Sequence, residues 1–298
     1  MKQLPILLIL LLFVSGITFA QKDFQGMAVY ESKTSTSEFK SRLQGNKDIT
    51  PEMQKMIEER MKKMFEKTYI LHFNMQSSIY KEEEKLDTPG QQQGGFRMMS
   101  NMMGTGGTYY KNIKDKKYTV DREFMGKEFL VKDTLTNYKW QMSGETREIG
   151  GYMCYKATAV VPVSKTDFKN FRLKKEDTKE KEKSTEETTK KTSFLDEVDI
   201  PKEITLTAWY TTEIPVSQGP EGYWGLPGLI LEVNDGRTTI LCSKLVMNPK
   251  EKADIKAPTN GKEISQKDYD ETILKKMEEF REMNQGQGGK RMEIRMGR

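Results

Sequence analysis

A bend, an apolar run and a chain reversal follow one another in Trp224–Arg237, and this stretch constrains the fold most. Pro227 presets φ at about −65°, and Gly228 can take the positive φ of a type II turn, so the chain is predicted to bend there. The run Leu229–Val233 is apolar and is predicted to be a strand. Asp235-Gly236 is a strong hairpin signal, because both central residues of a type I′ turn need positive φ.

The hairpin signal also predicts a strand register. With Asp235 and Gly236 as the loop, three residues of the first strand, Leu229, Leu231 and Val233, fall opposite Cys242, Ile240 and Thr238. Alternate residues of a strand share a face, so these six positions would form one mostly apolar face of an antiparallel pair. The stretch is therefore predicted to be structural first.

Three segments carry a resemblance to a known family. The first is the hexapeptide Gly225, Leu226, Pro227, Gly228, Leu229 and Ile230. The second is residues 148–158, which read EIGGYMCYKAT, and the third runs from Trp209 to Pro215. Together they resemble the GLPGLI family of cell-envelope proteins from the Bacteroidota, over roughly residues 69–248 with long insertions. The resemblance implies an envelope protein, and it brings neither an established activity nor catalytic residues.

Residues 1–20 are typical of a secretory signal peptide. Lys2 gives a positive start, residues 4–14 are apolar, and Ala20 is a small residue at the expected cleavage site. The apolar run is shorter than the ~20 residues that span a bilayer. No cysteine lies near the cleavage site, so a lipoprotein is not expected. The sequence predicts a cleaved signal and a periplasmic or secreted protein.

Composition favours one β-rich domain at residues 21–284 with long solvated excursions, because only 35% of residues are hydrophobic and 31% are charged. Flexible insertions are predicted at about 86–108, which is rich in Gln, Gly and Met, and at 173–192, which carries charges of both signs. Residues 285–298 would form a basic flexible tail with at most peripheral membrane contact. The 49 basic and 44 acidic residues nearly balance, which argues against a nucleic-acid partner.

Periodicity indicates strands joined by turns, together with two amphipathic helices. One helix would begin at Thr50-Pro51 and carry a methionine stripe over 53–65; the other would begin near Ser265 and end before Gly286. Aromatic and apolar residues at alternate positions over 109–158 are typical of an antiparallel meander. The predicted fold class is α+β, mainly antiparallel β, with a single curved, half-barrel-like sheet whose concave side is covered by one or two of these helices.

A concave sheet under a helix could hold an apolar ligand, a lipid or a peptide. The candidate lining residues are Trp209, Tyr210, Trp224, Met56 and Met64. Trp209 could instead pack beneath residues 218–224, and the methionine stripe could instead dock on the sheet as core. The leading hypothesis is an exported, non-catalytic envelope protein that binds such a ligand or another envelope protein.

No catalytic motif is present, and no cofactor is expected. His72 is the sole histidine, which excludes sites that need two. Two alternatives remain: a hydrolase that uses carboxylates near Trp209 and Trp224, and a Cu(I)-handling protein that uses the methionines at 98, 99, 102 and 103. Cys154 and Cys242 could form a disulfide in an oxidising compartment or remain free thiols.

Overall fold

The computed structural model describes residues 24–37, 50–83, 106–164, 166–167, 172–173 and 198–287. The predicted signal peptide, most of the two predicted insertions, the methionines at 98–103 and the tail from 288 onwards lie outside the described residues. The side chains of Met64 and Phe280 lie outside them as well. Among the helices that the structure describes, none combines the length and the apolar character needed to cross a membrane.

Twelve strands form one open, curved sheet in which all pairs but one are antiparallel. In chain order they are β1 (Gln25–Thr34), β2 (Glu66–Asn74), β3 (Ser77–Glu82), β4 (Thr108–Asn112), β5 (Lys117–Phe124), β6 (Lys127–Thr134), β7 (Gln141–Ile149), β8 (Tyr152–Pro162), β11 (Glu203–Thr211), β12 (Leu229–Asn234), β13 (Thr238–Met247) and β14 (Lys262–Ile264). A separate two-stranded ladder joins β9 (Arg172–Leu173) and β10 (Val198–Asp199). With two helices beside this sheet, the predicted fold class is confirmed.

Two antiparallel runs of strands meet at the middle of the sheet. The order is β14-β6-β5-β4-β3-β2-β1-β13-β12-β11-β8-β7, so β1 lies between the run β2–β6 and the run that ends at β13. After β13 the chain crosses to the far edge, where β14 pairs in parallel with β6. Residues that are distant in sequence therefore share the same inner face of the sheet.

Helix α1 (Pro51–Phe65) begins as the sequence predicts. The Thr50 hydroxyl oxygen accepts a hydrogen bond from the Met53 amide (3.3 Å), and Pro51 occupies the first turn, where its missing N–H costs nothing. The helix runs directly into β2 and buries Met61, whereas Met53 and Met56 are 44% and 48% exposed. The expectation of a fully docked methionine stripe is wrong for these two residues.

Helix α2 (Gln266–Gln287) packs on the end of the sheet at β5 and β6. Its Tyr269, Ile273 and Met277 join a core cluster with Val120 and Val131. The Ser265 hydroxyl oxygen accepts from the Asp268 amide (3.1 Å), which caps the helix. The helix continues through Gly286, so the predicted end before that residue is wrong. A glycine costs a helix about 1 kcal/mol without terminating it.

The hairpin between β12 and β13 forms, but its register differs from the prediction. Val233 pairs with Ile240 and Asn234 with Thr239, so the reversal lies at Gly236-Arg237, one residue later than expected. The Asp235 carboxylate explains the shift, because it accepts hydrogen bonds from the amides of Arg237 (2.9 Å) and Thr238 (2.6 Å). Each residue of β12 therefore pairs with a residue of β13 two positions later than predicted. Because side chains of a strand alternate between its two faces, a shift of two leaves the apolar residues on the same face.

Candidate functional site

The inner face of the sheet is covered mainly by the segment between β11 and β12, residues 212–228, which we call the inner loop. Ile214 and Val216 are buried in the main core cluster. The amides of Leu229 and Ile230 donate to the carbonyl groups of Ile214 (3.0 Å) and Gln218 (2.9 Å), which fixes the loop against the start of β12. Helix α2 covers only the β5–β6 end. The expectation that helices cover the concave side is therefore only partly met.

The motif at 225–230 forms the return of the inner loop into β12. Gly225 has φ +95°, and Leu226 is fully buried beside Ile230. A Cβ at Gly228 would lie 2.0 Å from the Thr211 carbonyl oxygen. The positive φ therefore falls at Gly225, and the predicted positive φ at Gly228 is wrong. Gly228 is required instead by the close approach of two backbone segments.

A buried lysine holds the inner loop in place. Lys111 on β4 is fully buried, and its Nζ donates to the carbonyl oxygens of Gly219 (2.7 Å), Glu221 (2.8 Å) and Tyr223 (2.8 Å). An ammonium group has three donors, so all of them are satisfied. Burial lowers the pKa of Lys111 to about 7, and the nearby Glu221 acts in the opposite direction. Three backbone acceptors at one cation make Lys111 a clamp for the loop.

A cavity of about 260 Å³ remains between the inner loop and the two halves of the sheet. Its lining comes from residues 106 and 107, from β2–β5, from β12 and β13, from the inner loop, and from residues 164, 166, 167 and 266. The lining side chains include Tyr69, Tyr80, Tyr109, Val120, Arg122, Asp167, Glu221, Tyr223 and Asp235. The lining strands lie on both sides of β1 in the sheet, so their side chains meet around one cavity because the sheet is curved.

Tyrosine rings form much of the cavity wall. Tyr69 and Tyr80 stack with their ring centroids 4.7 Å apart, and Tyr109 stacks on Tyr118 at 5.2 Å. Burial raises the pKa of Tyr69, Tyr80, Tyr109 and Tyr223, and the Glu221 carboxylate raises each further. Their hydroxyl groups are therefore neutral at physiological pH and can both donate and accept hydrogen bonds. The Tyr80 hydroxyl is buried and has no partner among the described residues.

Charged groups of both signs line the same cavity. Arg122 on β5 lies over the Tyr269 ring, with 5.5 Å from its guanidinium carbon to the ring centroid. Its Nε is buried and has no hydrogen-bond partner within the described chain. Asp167, Glu221 and Asp235 line the cavity together with Tyr223, and their carboxylates act to raise the pKa of that tyrosine. The cavity is polar, with a cation on β5 and acidic groups around the inner loop.

The ligand-lining residues predicted from the sequence lie elsewhere. Trp209 is buried in the core, and the Arg147 guanidinium lies over its ring at 4.1 Å. Tyr210 is buried in a separate cluster with Leu226. Met56 is exposed on α1. The structure does not bring these residues together at the cavity, and the Met64 side chain is outside the described residues.

Trp224, the remaining candidate, belongs to a contact between the inner loop and residues 135–140. Its indole Nε1 donates to the Thr136 carbonyl (2.8 Å), while Trp140 Nε1 donates to the Trp224 carbonyl (2.9 Å). Tyr138 packs on Tyr223, with ring centroids 5.7 Å apart. The alternation of Tyr138 and Trp140 predicts a strand, but these residues pack against the loop and β7 begins only at Gln141.

The two cysteines are free thiols in this structure. Cys154 is buried in β8 and Cys242 is half-buried in β13. Burial raises the pKa of each thiol to about 11. His72 lies on β2 with its pKa lowered by burial. Neither cysteine nor the histidine lines the cavity described above.

Sequence reasoning missed Lys111 and Arg122. Both had a signal: Lys111 is two residues from Tyr109, and Arg122 is two residues from Val120, so strand alternation places each on an inward, apolar face. A basic residue at such a position must be buried or must reach a cavity. The contribution of the inner loop could not be found in this way, because no periodicity reports how a loop folds back over a sheet.

The sequence model of a family described as "Protein of unknown function (Porph_ging)" matches residues 140–232. The match runs from the start of β7 to β12 and includes the hexapeptide at 225–230. No curated protein matches the chain.

Two solved structures match the chain at low identity. "Structure of PNGF-II in C2 space group" has 15% sequence identity and a TM-score of 0.44, and "Structure of PNGF-II in P21 space group" has 15% identity and a TM-score of 0.45. Each similarity covers 85% of this chain and 33% of the other. The chain therefore spans about a third of the length of those structures.

Proposed function

We propose that this protein is a non-catalytic cell-envelope protein of the GLPGLI family that binds a small organic ligand in the cavity beneath its inner loop. One observation carries the proposal: a cavity of about 260 Å³ is lined by both halves of the sheet and contains ring faces, hydroxyl groups and charges of both signs. Convergent polar groups in a mostly preformed concave site are the usual mark of ligand binding.

The lining favours a small polar ligand over a lipid. The volume is below the roughly 300–1,000 Å³ of pockets that hold drug-sized ligands, so a long acyl chain would not fit. The buried Nε of Arg122 and the buried hydroxyl of Tyr80 have no partner among the residues that the structure describes, and an apolar ligand would provide none. The sequence-based hypothesis of an apolar ligand is replaced, in this proposal, by a polar one.

The hydrogen bonds of Asp235, one of the cavity carboxylates, favour ligand binding over hydrolysis as the function of the site. Asp235 already accepts hydrogen bonds from two backbone amides of the β12–β13 turn, which gives its carboxylate a structural role. The signal-like residues 1–20 and the resemblance to an envelope family support export to the periplasm or the cell surface.

Native mass spectrometry tests the proposal. Residues 21–298 are purified from the natural compartment, and the mass of the intact protein is compared before and after denaturation. We expect a small bound molecule at close to one per chain. A protein that carries nothing, and whose melting temperature no member of a metabolite library raises, would contradict the proposal.

A matched pair of variants ties binding to the cavity. Val120→Phe fills the cavity from β5, whereas Val160→Phe makes the same change on β8, where the side chain is 60% exposed. We expect the first variant to lose the bound molecule and the second to keep it, provided that circular dichroism shows both to be folded. Retention of the molecule by both variants would place it elsewhere on the protein.

A further inference from the structure

The chemistry of the cavity also indicates the class of ligand, an inference that rests on the proposed function. Arg122 is the starting point. Its Nε is buried without a hydrogen-bond partner in the described chain, while the rest of its guanidinium group lies over the Tyr269 ring and hydrogen-bonds that tyrosine. A buried guanidinium N–H without an acceptor is costly, and it is usually explained by a water, an ion or a ligand that the site receives. A carboxylate matches the planar fork of a guanidinium group best.

Three acidic side chains make a purely anionic ligand unfavourable. Asp167, Glu221 and Asp235 line the cavity around Tyr223, whereas Arg122 lies on the wall formed by β5. A ligand with only negative charge would satisfy Arg122 but would be repelled by this group. A ligand that also carries a cationic group can place that group towards the acidic residues.

Ring faces line the same cavity as these charges. They belong to Tyr69, Tyr80 and Tyr109, and both Arg122 and Glu221 act on the pKa of Tyr109. Tyrosine rings pack well on another planar ring and also attract an ammonium group. The volume of about 260 Å³ limits the ligand to less than drug size.

We infer that the ligand is a small aromatic zwitterion, an aromatic amino acid or a molecule with the same two charged ends, whose carboxylate binds Arg122 and whose ammonium group faces Glu221 and Asp167. The aromatic ring packs among Tyr69, Tyr80 and Tyr109. Each end of the ligand thus meets the opposite charge, and the partnerless Nε of Arg122 gains an acceptor.

Calorimetric titration with matched probes tests this inference on residues 21–298 after removal of any bound molecule. The probes are phenylalanine, phenylalaninamide, which lacks the carboxylate, N-acetylphenylalanine, which lacks the cation, and glucose, which has a ring but no charge. We expect phenylalanine to bind and each of the other three to bind at least tenfold more weakly. Equal affinity for phenylalanine and its amide would overturn the inference.

The variant Arg122→Gln tests whether Arg122 binds the carboxylate of the ligand. The variant is expected to weaken phenylalanine binding at least tenfold and to leave the weak binding of phenylalaninamide unchanged, since the amide has no carboxylate for Arg122 to bind. Arg60→Gln, an exposed arginine on α1, serves as the control and should change neither affinity. An equal loss for both probes in Arg122→Gln would overturn the assigned role.

The outcomes separate this inference from the proposed function. Glucose or a neutral co-purified molecule that binds, and is lost in Val120→Phe, would overturn the zwitterion and leave a small-molecule binding protein. No binding of any probe, together with no co-purified molecule, would remove both proposals.

Discussion

Lys111 and Arg122 are two basic residues on neighbouring strands of the same inner face, and they differ in how their donors are satisfied. Lys111 donates to three carbonyl groups of the inner loop. Arg122 contacts the Tyr269 ring and keeps a buried Nε without an acceptor in the described chain. In the proposal above, the cation whose donors all meet the backbone belongs to the fold, and the cavity-lining cation with an unmet donor is the one that meets the ligand.

The comparison also separates two parts of the cavity wall. Around Lys111 the inner loop is fixed, because one side chain ties three of its carbonyl groups to β4. Around Arg122 the wall is formed by side chains from β5 and α2. The first part fixes the loop that bounds the cavity, and the second part carries the contact that we propose for the ligand.

Replacement of Lys111 should give the largest loss of stability. Lys111→Met keeps all but the last atom of the side chain's length and leaves the carbonyl groups of Gly219, Glu221 and Tyr223 without their donor. Unsatisfied buried groups cost about 1–3 kcal/mol each, and removal of the buried ammonium group recovers part of that loss, so we expect the free energy of unfolding at pH 6.5 to fall by about 3 kcal/mol. Urea unfolding measures it, with Lys114→Met, an exposed lysine in the next turn, as a control that should stay within about 0.5 kcal/mol. If Lys111→Met and the parent protein were equally stable, Lys111 would not be needed to hold the inner loop in place.

A Cβ at Gly228 should weaken the other anchor of the inner loop. In Gly228→Ala the new carbon would lie 2.0 Å from the Thr211 carbonyl oxygen, and relief of that contact must move backbone. We expect a loss of about 1–3 kcal/mol, the usual cost of overpacking. Gly144→Ala on β7 is the matched change, since nothing lies within 4 Å of its Cβ position. Thermal unfolding of the two variants measures the difference in stability between them. Equal stability of Gly228→Ala and Gly144→Ala would show that the two backbone segments do not approach closely at Gly228.

The pH dependence of stability should distinguish the two cations. Burial lowers the pKa of Lys111 to about 7, below its ordinary value of 10.5. As pH rises above 7 the folded state releases this proton before the unfolded state does, so stability should rise with pH, by up to ~1.4 kcal/mol per unit. Cys154 and Cys242 act in the opposite sense above pH 9, because their folded pKa of about 11 exceeds the ordinary 9. Chemical unfolding between pH 7 and 8.5 therefore isolates Lys111.

Two variants make this test specific. Lys111→Met should remove the rise in stability between pH 7 and 8.5, whereas Arg122→Gln should keep it. A slope that survives in Lys111→Met would assign the titration to another group.

The sequence predicts the sheet well and the site poorly, for physical reasons. Alternation of apolar residues and the turn at residues 235–237 report short-range geometry, so the strands and the hairpin are found and only the register is displaced. The Asp235 carboxylate, which moves the turn by one residue, acts through side-chain bonds that turn statistics do not include. The start of α1 at Thr50-Pro51 is likewise local and is confirmed.

The site depends on long-range packing that alternation does not describe. Trp209 and Tyr210 are large and aromatic, which suggests a ligand surface, but the inner loop and the neighbouring strands bury both. Lys111 meets its acceptors more than a hundred residues along the chain. Only the fold of the loop over the sheet decides which inward side chains remain beside a cavity, and no local pattern encodes that arrangement.

Replacement of Arg122 should have the smallest effect on stability, and this is the sharpest test of the comparison. Arg122→Gln removes the contact with the Tyr269 ring and the hydrogen bond to that tyrosine, together worth about 1–2 kcal/mol, and it also removes a buried guanidinium N–H that has no acceptor among the described residues. The two changes oppose each other, so we expect the free energy of unfolding to change by less than about 1 kcal/mol. Urea unfolding without ligand measures it. A loss as large as that of Lys111→Met would mean that Arg122 also holds the fold together, and the distinction between a structural and a ligand-binding cation would fail.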